Sequence, residues 1–125
     1  EEYATAFSNN NESHQSSLGF FVTGETYNGK HGISLHLSGM DEGFNDAAHD
    51  RDIVVHGAGY VSENFIKAKN YLGRSWGCPA IPAKLTLPII NTIKGGTCLF
   101  IYYPHKQYHE SSYWLNRKIP RSIIA

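Results

Sequence analysis

Cys78, set between a glycine and a proline, has the local sequence expected of a nucleophile. It lies in Gly73-Arg74-Ser75-Trp76-Gly77-Cys78-Pro79-Ala80-Ile81-Pro82, where the glycines and prolines leave no room for a regular element. A thiolate that attacks a carbonyl needs an accessible sulfur, a base, and backbone donors aimed at the developing oxyanion. Gly77 lets the chain turn sharply and lets a substrate come close. Pro79 stiffens the turn and has no N–H, so the oxyanion donors must come from Cys78, Gly77 or Trp76. The competing reading is a purely structural Gly-Cys-Pro turn. Arg74, Ser75 and Trp76 in the same exposed loop weigh against it, because such a loop has little structural use for all three.

The base expected for this thiol is His56. It closes the apolar run Ile53-Val54-Val55 and is followed by Gly57-Ala58-Gly59, a strand end at a flexible loop, where a scaffold can hold a catalytic side chain. A histidine beside Cys78 would draw the thiol from about 8.5 into the ~3.5–7.5 range. The other six histidines read as surface or core residues, although His31 and His36 lie near the same hairpin. The second cysteine, Cys98, falls in Thr97-Cys98-Leu99-Phe100-Ile101-Tyr102-Tyr103 and reads as a small buried hydrophobe.

These residues need a scaffold, and the patterning describes a mainly β one. Residues 18–27 are β-branched and aromatic and read as a strand. Asn28-Gly29 is a hairpin signal, and Ile33-Ser34-Leu35-His36-Leu37 alternates as a half-buried strand does. The spacing predicts a loop or short helical turn over 38–50, a buried strand over 53–56, and a short helix over 62–72 with Ser62 as N-cap. A second helix is predicted over 87–94, capped by Thr86, with Pro88 in its first turn and Gly95 as its stop. A last strand covers 97–103. Residues 8–17, Ser-Asn-Asn-Asn-Glu-Ser-His-Gln-Ser-Ser, are polar and aperiodic, so 1–16 reads as a tether or loop and 17–125 as one domain. Residues 105–125 show no usable pattern.

Composition narrows the function classes. The 125 residues suffice for one domain. Eleven Lys and Arg balance eleven Asp and Glu, and no basic patch marks a nucleic-acid binder. No apolar run approaches the ~20 residues of a membrane span. The chain opens with Glu1-Glu2 and shows no signal segment, which says little about compartment. Two cysteines make neither a disulfide framework nor a Cys-rich zinc site. His31, His36, His49 and His56 lack the His-Glu-x-x-His spacing of a metal-dependent hydrolase. No metal and no cofactor are expected.

His56-Gly57 followed by Ser75-Trp76-Gly77-Cys78 resembles the L,D-transpeptidase (YkuD-like) family, whose signature is a His-Gly step and then Ser/Thr-His-Gly-Cys. Gly73-Arg74-Ser75-Trp76-Gly77-Cys78-Pro79, Ser17-Leu18-Gly19-Phe20, Gly24-Glu25-Thr26-Tyr27 and Gly29-Lys30-His31-Gly32 are similar to its murein L,D-transpeptidase catalytic domain branch. The likeness spans roughly residues 16–104. It departs in three places: Trp76 stands where the family usually has a second histidine, Pro79-Ala80 replaces a hydrophobic-Asn or hydrophobic-Arg pair, and the 22 residues from His56 to Cys78 exceed the usual spacing. The extra residues fall within 60–72, where a lid is expected.

The resemblance implies a small β-sandwich or barrel with one or two short helices, in a monomer of the bacterial cell envelope whose partners are peptidoglycan stem peptides. It implies Cys78 as nucleophile, His56 as base, the Gly57 carbonyl as the group orienting the imidazole, and an oxyanion site at the Gly77 and Cys78 N–H groups. Arg74 is a candidate for holding a substrate carboxylate, Trp76 for a groove wall, and Ser75 for a hydrogen bond within the loop. The acceptor of the acyl group is left open, an amine making a transpeptidase and water a carboxypeptidase. Rival readings are a papain-like endopeptidase with His105 or His109 as base, and a non-catalytic wall-binding module in which Cys78 is inert.

Overall fold

The computed structural model describes residues 3–120; residues 1–2 and 121–125 lie outside it. β1 (Gly19–Gly29) alternates buried and part-exposed residues along its first half, the period-two pattern of a strand with one face on the core. It pairs antiparallel with β2 (Gly32–Gly39), and β2 pairs antiparallel with β3 (Val54–Ala58). β3 is buried at four of its five residues, as befits a central strand covered on both faces. β4 (Ala80–Pro82) runs parallel to β3, and β5 (Cys98–Ile101) is antiparallel to β1. The sheet order is β4-β3-β2-β1-β5, a curled half-barrel. The fold is mainly β, as the sequence indicates.

Phe21, Leu35, Leu37, Ala48, Ile53, Val55 and Ile90 form the core, with Cys78 and Ile81 packed against its edge. Ile90 comes from α2 (Thr86–Ile93). Thr86 is the first residue of that helix, not its cap: its hydroxyl donates to Ala83 O at 3.0 Å. α1 (Glu63–Lys69) is capped at Ser62, whose Oγ accepts from Phe65 N at 3.1 Å, as its position predicts. It ends at Asn70, φ 64°, short of residue 72. Two further helices, α3 (Lys106–Ser111) and α4 (Tyr113–Asn116), occupy the stretch whose patterning gave no reading. No helix among the described residues is long and apolar enough to cross a membrane.

Three local expectations change. The hairpin turns at Lys30-His31, two residues beyond Asn28-Gly29: Asn28 still pairs with Ile33 and Gly29 with Gly32, and Gly32 takes the positive φ of +84°. Residues 80–82 form a strand although Pro79 precedes it and Pro82 ends it: it runs in parallel register with His56, Gly57 and Ala58, and the Pro79 carbonyl accepts from His56 N–H. Cys98 is exposed, not buried; β5 is an edge strand, and its apolar contacts come from Leu99 and Ile101.

The polar segment 8–17 is packed onto the domain. Ser17 is 1% exposed, Asn9 Nδ2 donates to Asp46 Oδ1 at 2.7 Å, and Arg51 donates into the segment four times.

Candidate active site

Parallel pairing of β3 with β4 assembles the site. His56 lies opposite Ala80, and its backbone N–H donates to Pro79 O at 3.2 Å. Counting back two residues on each strand brings Cys78 level with Val54, and Val54 N–H donates to Cys78 Sγ at 3.5 Å. Cys78 Sγ in turn lies 3.6 Å from Asp52 O. The cysteine and the histidine, 22 residues apart in the chain, thus share the wall of one cleft of about 810 Å³, together with Arg74, Ser75 and Trp76.

The histidine is tightly set. It is 3% exposed, and its Nδ1 lies 3.0 Å from the carbonyl oxygen of Gly57. With the proton on Nδ1 that contact is a hydrogen bond, which leaves Nε2 as the basic nitrogen. Gly57 cannot carry a side chain, because a Cβ would run into Thr86 Oγ1. Gly77 is equally constrained: its φ is +100°, and a Cβ would sit 2.6 Å from Gln15 O. Gly57 borders a neighbouring depression that His31 and Thr86 also line, and Gly77 is buried against the polar segment 8–17, which straps the loop. Ser75 Oγ donates to Cys78 O and closes the loop on itself. Trp76 is 75% exposed and stacks on His14 at 4.3 Å with 13° between the planes.

Several residues at the cleft were not singled out from sequence. His31, at the hairpin tip, stacks on His56 at 4.5 Å and 18°. Burial first, then His56 and Lys30, push its pKa down, so His31 favours the neutral state beside its partner. The only signal for this was its place near the hairpin. Arg51, Asp52, Tyr60, Tyr27 and, from the strap, Glu12 and His14 also line the cleft. Within the segment 60–72 it is Tyr60 that reaches it, and burial, then the Cys78 charge, raise its phenol.

The thiol is not held low. Burial pushes the Cys78 pKa up; the Val54 N–H, Arg51 and Lys30 pull it back, and Asp52 adds to the rise. The expected depression by a neighbouring histidine is not among these influences, and burial prevails because the sulfur packs against the core edge, where the charged form loses hydration. Alkylation of Cys78, measured in a Cys98→Ser background because Cys98 is exposed, is therefore expected to keep accelerating beyond about pH 9, where a free cysteine peptide levels off. A plateau below about pH 8 would contradict this account of the thiol.

The half-barrel sheet thus brings a cysteine and a carbonyl-pinned histidine to one open cleft. The family model described as L,D-transpeptidase catalytic domain matches residues 1–102, and the chain belongs to that family. No curated protein and no solved structure matches the chain.

Proposed function

We propose that this domain is an L,D-transpeptidase acting outside the cytoplasm on peptidoglycan stem peptides. The observation that carries the reading is the parallel β3–β4 pairing, which sets Cys78 and the pinned His56 on one cleft. Cys78 Sγ attacks the carbonyl of the third residue of a tetrapeptide stem. Because burial favours the neutral thiol, its proton passes to His56 Nε2 as the attack proceeds, not beforehand. The oxyanion rests on the N–H groups of Gly77 and Cys78, since Pro79 has none to offer. Collapse breaks the bond to the terminal D-residue, whose amine takes the proton back from His56, and a thioester remains on Cys78. The side-chain amine of a second stem then attacks the thioester, restores the thiol and forms the cross-link. Arg74 holds the stem carboxylate through its planar guanidinium, Trp76 forms a groove wall, and Ser75 keeps the loop closed. The enzyme works as a monomer and needs no metal or cofactor for this sequence of steps.

The test is mass spectrometry of the protein incubated with tetrapeptide muropeptides. A thioester adduct mapped to Cys78, with release of one D-amino acid and appearance of cross-linked dimers, is the expected result. Free tripeptides in place of dimers make water the acceptor and the protein a carboxypeptidase. Neither adduct nor release, with Cys78 still open to alkylation, returns the domain to a wall-binding module.

A further inference from the structure

Arg51 sits just before β3, and its guanidinium faces two ways. Nη1 donates to Ser8 O at 2.8 Å and to Ser17 Oγ at 2.7 Å, and Nη2 to Ser13 Oγ at 3.1 Å and Gln15 O at 2.9 Å. All four acceptors are neutral. The ion pairs among the described residues, His49 with Asp50 and Lys106 with Glu110, do not involve it. A half-buried guanidinium bonded only to neutral oxygens keeps its charge uncompensated, and it lines the cleft beside Cys78.

Its second role runs through the strap. Gln15 O, which Arg51 grips, is the atom that a Cβ on Gly77 would strike. The residue before the cysteine is therefore pressed against a backbone oxygen whose place Arg51 sets. The strap that Arg51 threads is itself forced, with Glu12 and His14 both at φ 57°, a left-handed backbone that non-glycine residues adopt only at an energetic cost. Such a conformation persists only where its surroundings over-determine it.

We propose that Arg51 is a positioning residue for the reaction: through Gln15 it seats Gly77 and Cys78, and with its uncompensated charge it favours the Cys78 thiolate as the proton leaves. This rests on the reading of Cys78 as nucleophile. The other charged or titratable groups lining the cleft with that sulfur are Tyr27 on β1, Lys30 and His31 from the β1–β2 turn, Asp52 just before β3 and His56 on it, Tyr60 after it, Arg74 on the cysteine's own loop, and Glu12 and His14 on the strap. Arg51 precedes Lys30 among those that favour the anion, while Asp52 opposes it.

Three proteins in the Cys98→Ser background separate the two roles: Arg51 itself, Arg51→Gln and Arg51→Lys. For each, the alkylation rate of Cys78 is followed against pH, the acylation rate is read from a tetrapeptide muropeptide, and the melting temperature is taken. Arg51→Gln is expected to move the alkylation midpoint upward by about one pH unit. Arg51→Lys is expected to keep that midpoint, because the charge stays, but to acylate roughly tenfold more slowly because one ammonium cannot fork to four oxygens. A Gln variant that melts lower yet titrates as wild type makes Arg51 a strap anchor and nothing more, and overturns the proposal. If the Gln variant does not fold, the Lys variant decides, and wild-type acylation there overturns it equally. Should the wild-type protein form no thioester at all, the nucleophile reading fails, while the alkylation profiles still report whether Arg51 governs the thiol.

Discussion

Cys78→Ala is expected to abolish stem turnover, and His56→Ala to leave on the order of a thousandth of it. Alanine at 78 has no lone pair with which to form a thioester. Its structural cost is small, since Cys78 touches the core only at its edge. At 56 the loss is larger than for a typical base, because the resting thiol is neutral: burial raises it, so nearly every attack needs a proton acceptor in place. His31 stacks on His56, but it is His56 Nδ1 that lies against Gly57 O, the contact that sets the tautomer. The double variant should match Cys78→Ala alone, as groups acting in one step are not additive. D-amino acid release scored by mass spectrometry, beside melting temperatures, measures all three. Turnover by His56→Ala within tenfold of wild type would place the base elsewhere, with His31 the first residue to examine.

Four of the five strands and their order along the chain were legible, β4 being the exception: sheet burial imposes a period of two, and β1, β2 and β5 carry it in full view. β3 was legible by its continuous apolar run, as a central strand should be. The hairpin turn was misplaced by two residues because Asn28-Gly29 is a local signal, and pairing overrode it. Tyr27 stacks on His36 at 4.4 Å across the strands, and Thr26 stays opposite Leu35 after the irregularity between Thr23 and Thr26. That shift has a consequence at the site: it places His31, at the new tip, over the histidine.

Of the residues that line the candidate site, those marked by local composition were legible and those held in polar networks were not. The glycine-rich loop marks Cys78 and its neighbours, and the strand end marks His56. Arg51 carries no such mark. It looks like any charged residue in a polar stretch, and the oxygens it bonds lie 34–43 residues away in the chain. The strap looked like a tether because it has almost nothing apolar to bury, yet hydrogen bonds to one guanidinium hold it. Side-chain networks of this kind leave no periodicity. The same limit hid the thiol's pKa, since the sulfur's burial follows from parallel pairing with a three-residue strand that two prolines disguised.

A buried carboxylate far from the cleft governs the second large effect. Asp41 is 0% exposed, in the stretch 38–50 that reads from sequence as loop. Its Oδ2 accepts from Phe20 N at 2.8 Å and from Tyr108 OH at 2.9 Å, and its Oδ1 from Ser112 Oγ. Tyr108 belongs to α3, Ser112 is the cap residue between α3 and α4, and Phe20 belongs to β1, so one side chain fastens both helices to the sheet. Burial, then the Asp41 carboxylate, push the Tyr108 phenol up to about 12, so it remains a donor at any ordinary pH. Asn45 reinforces the hub by accepting from Asp41 N and donating to Phe20 O, and Trp114 Nε1 donates to Met40 O at 2.7 Å. Asp41→Ala would leave three donors unpaired in the interior, for a loss of about 4 kcal/mol, or roughly 15 °C of melting temperature in a domain this size. Asp41→Asn, which can still accept from Phe20 N, should lose about half as much. Limited trypsin digestion should then cut at Lys106 and Arg117 well before the sheet is attacked, because undocked helices open locally first. A melting temperature within about 3 °C of wild type for Asp41→Ala would mean that the aromatic packing of Tyr108 on Phe44, rings 4.9 Å apart, holds these helices without the carboxylate.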